Sequence, residues 1–330
     1  MGPRWGSAKL FRLQLDDRPQ KRHYAPNECG VGSQAYGDAL QQASAHCHEK
    51  ESSKMDVRPD LAIKRMKAAF IRKLIGPRVQ ALVVQSESGP FAIDPEDEYG
   101  VGRKLRKNGR YGVKEVDRLR PLLTPESCVL FVGAHIGTLA IPTACLCRHV
   151  IAVEANPSSH ALLEMNVLLN QRTNCRTENV AACDEDGWIE FLVNRVNSGG
   201  SKRVPKARQY RYYYDNPKTI RVPSARLDRL FEGQDIDVIV MDIEGSEYHA
   251  LKGMQTILSR CRALVVEFVP HHLKYVAGIT VEQFLAVITP HFSTMTIPSK
   301  GVTVGASEFE RNLTVMYEQD EEDGDILFQK

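Results

Sequence analysis

The stretch Cys128-Val-Leu-Phe-Val-Gly-Ala-His-Ile-Gly-Thr-Leu-Ala-Ile141 limits what this chain can fold into more than any other. A short apolar run ends at Gly133, a turn carrying Gly133 and Gly137 follows, and a helix is expected to open there. A second apolar run, His149-Val-Ile-Ala-Val-Glu154, closes on a carboxylate. Strand, glycine turn, helix and acid-ended strand together make a nucleotide-binding βαβ half. Gly133 and Gly137 let backbone approach a ligand where a Cβ would clash, and the new helix offers unpaired N–H groups. Glu154 lies 21 positions after Gly133, close to the roughly 20-residue offset at which an acid meets a ribose diol. A carboxylate accepts from both ribose hydroxyls and repels a 2′-phosphate, which selects adenosine.

A second cluster narrows the choice of adenosine ligand. Asp235-Ile-Asp-Val-Ile-Val-Met-Asp242 reads as another buried strand, and it ends in Asp242, Glu244 and Glu247 around Gly245. Strand ends of an open parallel sheet form its ligand edge. A pyrophosphate is poorly tolerated beside so many carboxylates, whereas a sulfonium and an ammonium are attracted. S-adenosylmethionine carries both cations.

Taken together, the chain resembles the FkbM family of S-adenosylmethionine-dependent methyltransferases. The likeness rests on Gly133-Ala134 with Ile136-Gly137, Glu154-Ala-Asn-Pro157, Asn197-Ser-Gly-Gly200, Asp242-Ile-Glu-Gly-Ser-Glu247 and Leu251-Lys-Gly253, with a lead-in at Asp97–Leu105 and Gly109–Gly112. It covers about Phe91 to about Tyr317. The resemblance implies a Rossmann-like class I methyltransferase fold, α/β, with a mostly parallel seven-stranded sheet covered by helices on both faces. It also implies O-methylation of a hydroxyl, commonly on a small molecule or sugar. Two positions depart from the family: Phe131 stands where an acid usually precedes the glycine by two positions, and His135 replaces an Asn. Losing the acid weakens the expected grip on the cofactor's ammonium.

With 330 residues and 42% apolar content, the chain can bury a full core. A formal charge of +2 supplies no global field for nucleic acid or membrane. The eight cysteines are scattered, and Cys128, Cys145 and Cys261 sit in or beside apolar runs, as small buried hydrophobes of a reducing, cytoplasmic compartment do. No run reaches the roughly 18 apolar residues of a membrane span. No secretory segment follows Met1, and Gly6 occupies the position where a myristoylation signal wants Ser or Thr. Asn312-Leu-Thr314 matches a glycosylation acceptor but falls in an expected strand.

Four segments are expected: an unstructured extension over 1–57, a basic helix and lead-in over 58–90, a methyltransferase domain over 91–318 and an acidic tail over 319–330. Leu61, Ile63, Met66, Ala69, Phe70 and Ile71 recur at helical spacing within 60–74, with Lys64, Arg65, Lys67, Arg72 and Lys73 on other faces. Such a helix docks on the domain or lies against an acidic partner or membrane surface. Strands are expected at 128–132, 150–154, 176–182, 236–242, 264–268, 291–297 and 312–317, with an extra one at 188–194, and helices at 157–170 and 246–260. Ser201–Thr219 reads as a basic, tyrosine-rich loop.

The cofactor is assigned to Gly133, Ala134, His135, Gly137 and Thr138 around the turn, Glu154, Ala155 and Asn156 after the second strand, Ala181 for the adenine, and Asp242. His135 is a candidate donor to the methionine carboxylate, and Asn156 with Pro157 is expected to start the next helix. Asp242, Glu244, His249 and His271, in that order, are the candidates for removing the acceptor's proton. His271 and His272 after Glu267 suggest zinc, but no settled ligand spacing accompanies them, so no metal is assigned. A small-molecule or carbohydrate acceptor is expected and a nucleic acid is not. The rival readings are a nicotinamide dehydrogenase, a protein or nucleic-acid methyltransferase, and a non-catalytic module that binds the cofactor. The turn lacks G-x-G-x-x-G, and Asp242-Ile-Glu-Gly245 is not the Asp-Pro-Pro-Tyr type of strand end used on base amines.

Overall fold

The computed structural model describes residues 59–330, so the extension expected over 1–57 lies outside the described residues. Helix α1 (Pro59–Ile75) comes first, then an antiparallel hairpin of β1 (Leu82–Ser86) and β2 (Gly89–Ile93). Helices α2 (Val101–Asn108) and α3 (Val113–Leu119) lead into β3 (Cys128–Val132), α4 (Ala140–Thr143), β4 (His149–Val153), α5 (Pro157–Leu169) and β5 (Cys175–Glu178). A side sheet follows, with β6 (Ala181–Ala182), β7 (Gly187–Val193), β8 (Lys202–Arg203), α6 (Tyr210–Tyr213) and β9 (Lys218–Ala225). The chain then returns through α7 (Leu227–Leu230), β10 (Val238–Met241), α8 (Glu247–Lys252), α9 (Gln255–Arg260), β11 (Ala263–Phe268) and α10 (Val281–Ala286). It ends with β12 (Thr294–Ile297), β13 (Val302–Gly305), α11 (Phe309–Glu318) and β14 (Asp323–Gln329).

The main sheet has the order β13-β12-β14-β11-β10-β3-β4-β5, and the side sheet β6-β9-β7-β8. Strands β5, β4, β3, β10 and β11 are parallel; β14 runs antiparallel between β11 and β12, and β13 is antiparallel to β12. Eight strands therefore stand where seven were expected: β13 and β14 were not among the expected strands, and the one expected at 312–317 is absent from the sheet. The parallel strands are apolar on both faces. Leu130, Val132, Ile151, Val153, Ile239 and Met241 join one core, while Val129, Phe131, Val150, Ala152, Val238 and Val240 join the other. The period of two lets a single run serve both helix layers. Chain order turns outward from β3 to β5 and restarts beside β3 at β10, so the strand order reverses between β3 and β10. A crevice opens at such a switch point.

Asn166, fully buried on α5, ties the hairpin to this core. Its Oδ1 accepts the Ala92 N–H at 2.6 Å, while Nδ2 donates to the carbonyls of Ala92 (3.0 Å) and Ile136 (2.9 Å). Buried polar backbone on two segments is thereby satisfied by one amide.

Several expected boundaries shift. The strand expected at 176–182 divides, β5 staying in the main sheet and β6 joining the side sheet. The helix expected over 246–260 breaks at Gly253, where a Cβ would stand 1.9 Å from the Cys183 carbonyl oxygen. The tyrosine-rich stretch is not a free loop: it supplies β8 and α6, and Tyr212 is buried. The strand expected at 312–317 is a helix, because Phe309, Leu313 and Met316 are its buried residues, at i, i+4 and i+7. Asn312-Leu-Thr314 accordingly lies in α11. The acidic tail expected over 319–330 is instead a sheet strand, β14, with Ile326 and Phe328 fully buried between β11 and β12.

A strand inserted in the sheet behaves differently from a solvated tail. Phe328→Ala should lower unfolding free energy by about 3–5 kcal/mol, read from urea denaturation. A change within about 0.5 kcal/mol, as at a surface site, would restore the tail reading.

Candidate functional site

The crevice is a cavity of about 550 Å³ at the carboxyl ends of β3, β4 and β10, within the usual size range of cofactor sites. Gly133, Ala134, His135, Thr138, Glu154, Ala155, Ala181, Asp242 and Glu244 all line it. Gly137, Asn156, His249 and His271 do not.

Gly133 is required here by sterics. It has φ 89°, and a Cβ on it would stand 1.8 Å from the Asp242 carbonyl oxygen. The N–H groups of Gly133 and Ala134 both donate to the Val153 carbonyl at 2.9 Å. Gly137 serves packing instead: its Cβ would meet Leu163 and Ile141 side chains at 2.7 and 2.8 Å. The helix expected to open at the turn begins only at Ala140 and is four residues long, so it offers the cavity no row of N–H donors. Asn156 does start the next helix. Its Oδ1 accepts the Ser158 N–H at 3.1 Å, with Pro157 at the first helical position.

Glu154 is buried, yet it lines the cavity. Its Oε1 accepts the Asn156 N–H and its Oε2 the His135 N–H, each at 2.8 Å. Burial pushes its carboxyl up to about 7, against the lowering effect of those bonds. Asp242 is pushed up to about 8, first by desolvation and then by Glu244 and Glu247. Asp242 lines the cavity and is solvent-exposed. A cation entering the void would therefore pull both values down.

His135 adopts the left-handed region, φ 51°. Its Nε2 lies 2.8 Å from Ser198 Oγ, and Ser198 donates to Asp97 Oδ2 at 3.1 Å. Asp97 is buried and also accepts the N–H groups of Gly100 and Gly102. Because the Ser198 proton goes to Asp97, its oxygen accepts from Nε2–H. Nδ1 is then a bare acceptor, buried and without a partner. Desolvation lowers the ring's pKa, so it is neutral. The expected donor to a carboxylate is thus an acceptor.

Glu244, at φ 57°, pairs with Lys202 Nζ at 2.8 Å. Lys202 is itself buried and lies 3.2 Å from His272 Nε2. Glu267 lines the cavity with its pKa raised well above the ordinary range by burial, Asp242 and Glu244. Glu247 turns away and caps the turn, accepting the N–H groups of Ile243 and Gly245. His249 contacts Asp184 (3.1 Å), and His271 bonds the Tyr212 hydroxyl (2.9 Å) with its pKa lowered to about 4.

Ser198 and Glu267 line the cavity without having been assigned to it, and Asp97 and Lys202 support it from behind, although Asp97 lies in the lead-in and Ser198 in the Asn197–Gly200 motif read from the sequence. Asp97 followed by Gly100 and Gly102 was the readable signal, a short acid with two close-approach glycines. Phe131, where an acid was missed, lines the cavity as an apolar wall with Ile189 and Phe191. The void thus combines apolar walls, a carboxylate at the end of β4 and an acidic strand end. That donor set suits adenosine bearing a cationic tail.

Raised carboxyl values oppose stability as pH climbs. The native state holds protons on Glu154 and Asp242 that the unfolded chain has released, so unfolding free energy falls as pH rises from about 5 to 8. In the ligand-free protein, Asp242→Asn should flatten that decline in thermal melts; parallel slopes for variant and wild type would contradict the assignment.

The family model of the methyltransferase FkbM domain matches residues 132–289. No curated protein sequence matches the chain. Among solved structures it is similar to an FkbM methyltransferase from Methylobacillus flagellatus KT, at 14% identity over 63% of this chain and 44% of that one, TM-score 0.38. It is similar to Trm5b from Pyrococcus abyssi, at 12% identity over 77% of this chain and 57% of that one, TM-score 0.41. An rRNA methylase from Streptococcus thermophilus matches at 13% identity over 67% of this chain and 96% of that one, TM-score 0.37. The chain spans about half the length of the first two.

Proposed function

We propose that this chain, whose residues 132–289 match the FkbM methyltransferase domain model, transfers a methyl group from S-adenosylmethionine to a hydroxyl oxygen of a small molecule or sugar. The observation that carries this reading is the common cavity: Glu154 and Asp242, from strands on either side of β3, face one void beneath Gly133. When bound there, the cofactor supplies an electrophilic methyl group for in-line displacement by the acceptor oxygen.

This chain's own residues then bind, orient and take a proton. Glu154 accepts from the ribose hydroxyls, with Ala155 beside it. Ala181, Ile189 and Phe191 frame the adenine. Alignment of two bound reactants accounts for about 7 to 11 kcal/mol of such a barrier. Asp242 receives the acceptor's proton. With the cavity empty its pKa of about 8 keeps it protonated at neutral pH, and the cofactor's two positive charges favour the ionised form that a base needs. Glu244, already ion-paired to Lys202, holds its charge at the cavity wall. His249 and His271 stand outside the cavity and drop from the proton-transfer role.

Titration calorimetry with S-adenosylmethionine and with NAD should give binding of the first alone. Glu154→Ala and Asp242→Ala should each weaken cofactor binding or turnover at least tenfold, about 1.4 kcal/mol, and unchanged values in both would reject these roles. Incubation with labelled methyl donor and fractionated extract then identifies the acceptor. Label in the small-molecule fraction is the expected result, label in protein or RNA would replace that acceptor class, and binding without any transfer would leave a cofactor-binding module.

A further inference from the structure

A soluble domain ordinarily turns the apolar stripe of a surface helix inward. Helix α1 does the reverse. Leu61, Ala68 and Arg72 face the protein, and Arg72 anchors the helix by pairing with Glu96 and donating to the Val79 carbonyl at 2.7 Å. Glu96 is held in turn by Arg195 at 2.8 Å. On the opposite side Ile63, Met66, Phe70 and Leu74 are 47%, 65%, 66% and 74% exposed. At 100° per residue these four fall within one narrow stripe directed away from the body. Lys67 and Lys73 flank it on either side. From Leu61 to Ser86 the sequence holds Lys64, Arg65, Lys67, Arg72, Lys73 and Arg78 and no acid. Glu98, in the shallow groove beside the stripe, is buried and paired with Arg106.

We propose that α1 is a docking element for the surface of an anionic lipid bilayer. An apolar ridge bordered on both sides by cations matches the boundary between acyl chains and negative headgroups. A protein groove receiving the same helix would meet those cations with its own acids, whereas a bilayer meets all of them without specific placement. Lys64, on the same helix, lines the cavity together with Tyr99 and Lys104 of α2. Docking through α1 therefore holds the cavity, which the same helix lines, near the headgroup layer, and an amphiphile held in that layer becomes the acceptor. Only this last step rests on the proposed reaction.

The test uses the full chain in flotation with vesicles of phosphatidylcholine alone and of phosphatidylcholine mixed with phosphatidylserine. Binding to the mixed vesicles only is expected. Met66→Ser with Phe70→Ser, and separately Lys67→Glu with Lys73→Glu, should each weaken it at least about tenfold. These side chains are exposed and outside the cavity, so circular dichroism and cofactor titration should match wild type. No binding to either vesicle, or binding unchanged in both double variants, would overturn the proposal. So would a shift from dimer to monomer in the stripe variant by light scattering without any lipid binding, which would assign the stripe to a second copy. Loss of methyl transfer with vesicle binding intact would count against the proposed reaction alone.

Discussion

The backbone at Gly133 passes so close to the Asp242 carbonyl that a Cβ would stand 1.8 Å from its oxygen. That approach sets the geometry of the cavity. The end of β3 is hydrogen-bonded to β10 through the Asp242 N–H, which donates to the Val132 carbonyl, and to β4 through the Gly133 and Ala134 N–H groups, which donate to the Val153 carbonyl. With three strand ends drawn to one point, the residues that follow them have one common space to enter. Glu154 after β4 and Asp242 after β10 therefore share a void although 88 positions separate them in sequence. The same device recurs nearby: Gly245 leaves no room for a Cβ beside Val276, 2.6 Å away. Replacing such a glycine would force the strand ends apart, and a displacement of an ångström is enough to disorganise a reacting pair.

Closing acids together has an electrostatic cost that the fold meets by protonation. Lys202 is the buried cation among Asp242, Glu244 and Glu267, and it pairs with Glu244. Desolvation and the neighbouring carboxylates raise the pKa of Asp242 and Glu267, which favours their neutral forms. A cation bound beside them would shift these carboxyls towards their ionised forms. Lys64 and Lys104 also line the cavity, so its wall carries both signs of charge.

The βαβ half was readable because its cause is local. Glycines at strand ends permit close backbone approach, an acid closing an apolar run needs a partner to accept from, and Gly133, Glu154 and Asp242 fall where that pattern puts them. The carboxyl-terminal part was not readable. Thr314-Val315 suggested a strand, but the period of Phe309, Leu313 and Met316 belongs to a helix; and Asp323-Gly-Asp325 hid the apolar Ile326-Leu-Phe328 behind acids. Asp323 is itself used structurally, accepting the N–H groups of Ser299 and Asp325, which local composition does not reveal. His249 and His271 failed differently. Their sequence neighbours lie at the cavity, but Asp184 and Tyr212, brought by other segments, hold their rings elsewhere. Asp97 and Ser198 meet from positions 101 apart, a pairing that no spacing rule carries.

Helix α1 shows where periodicity stops informing. Apolar residues at Leu61, Ile63, Met66, Ala69, Phe70 and Ile71 establish a helix, yet they leave open which side meets the protein. Arg72 decides it. A guanidinium has five donors and must place them; Glu96 and the Val79 and Gly76 carbonyls receive them, which turns that side inward with small Ala68 beneath it. Given that anchor, the larger Met66, Phe70 and Leu74 have no choice but to face out. The hydrophobic effect alone would rotate the helix to cover them. A helix pinned in the opposite sense by a partly buried ion pair keeps its apolar ridge available to whatever surface it meets.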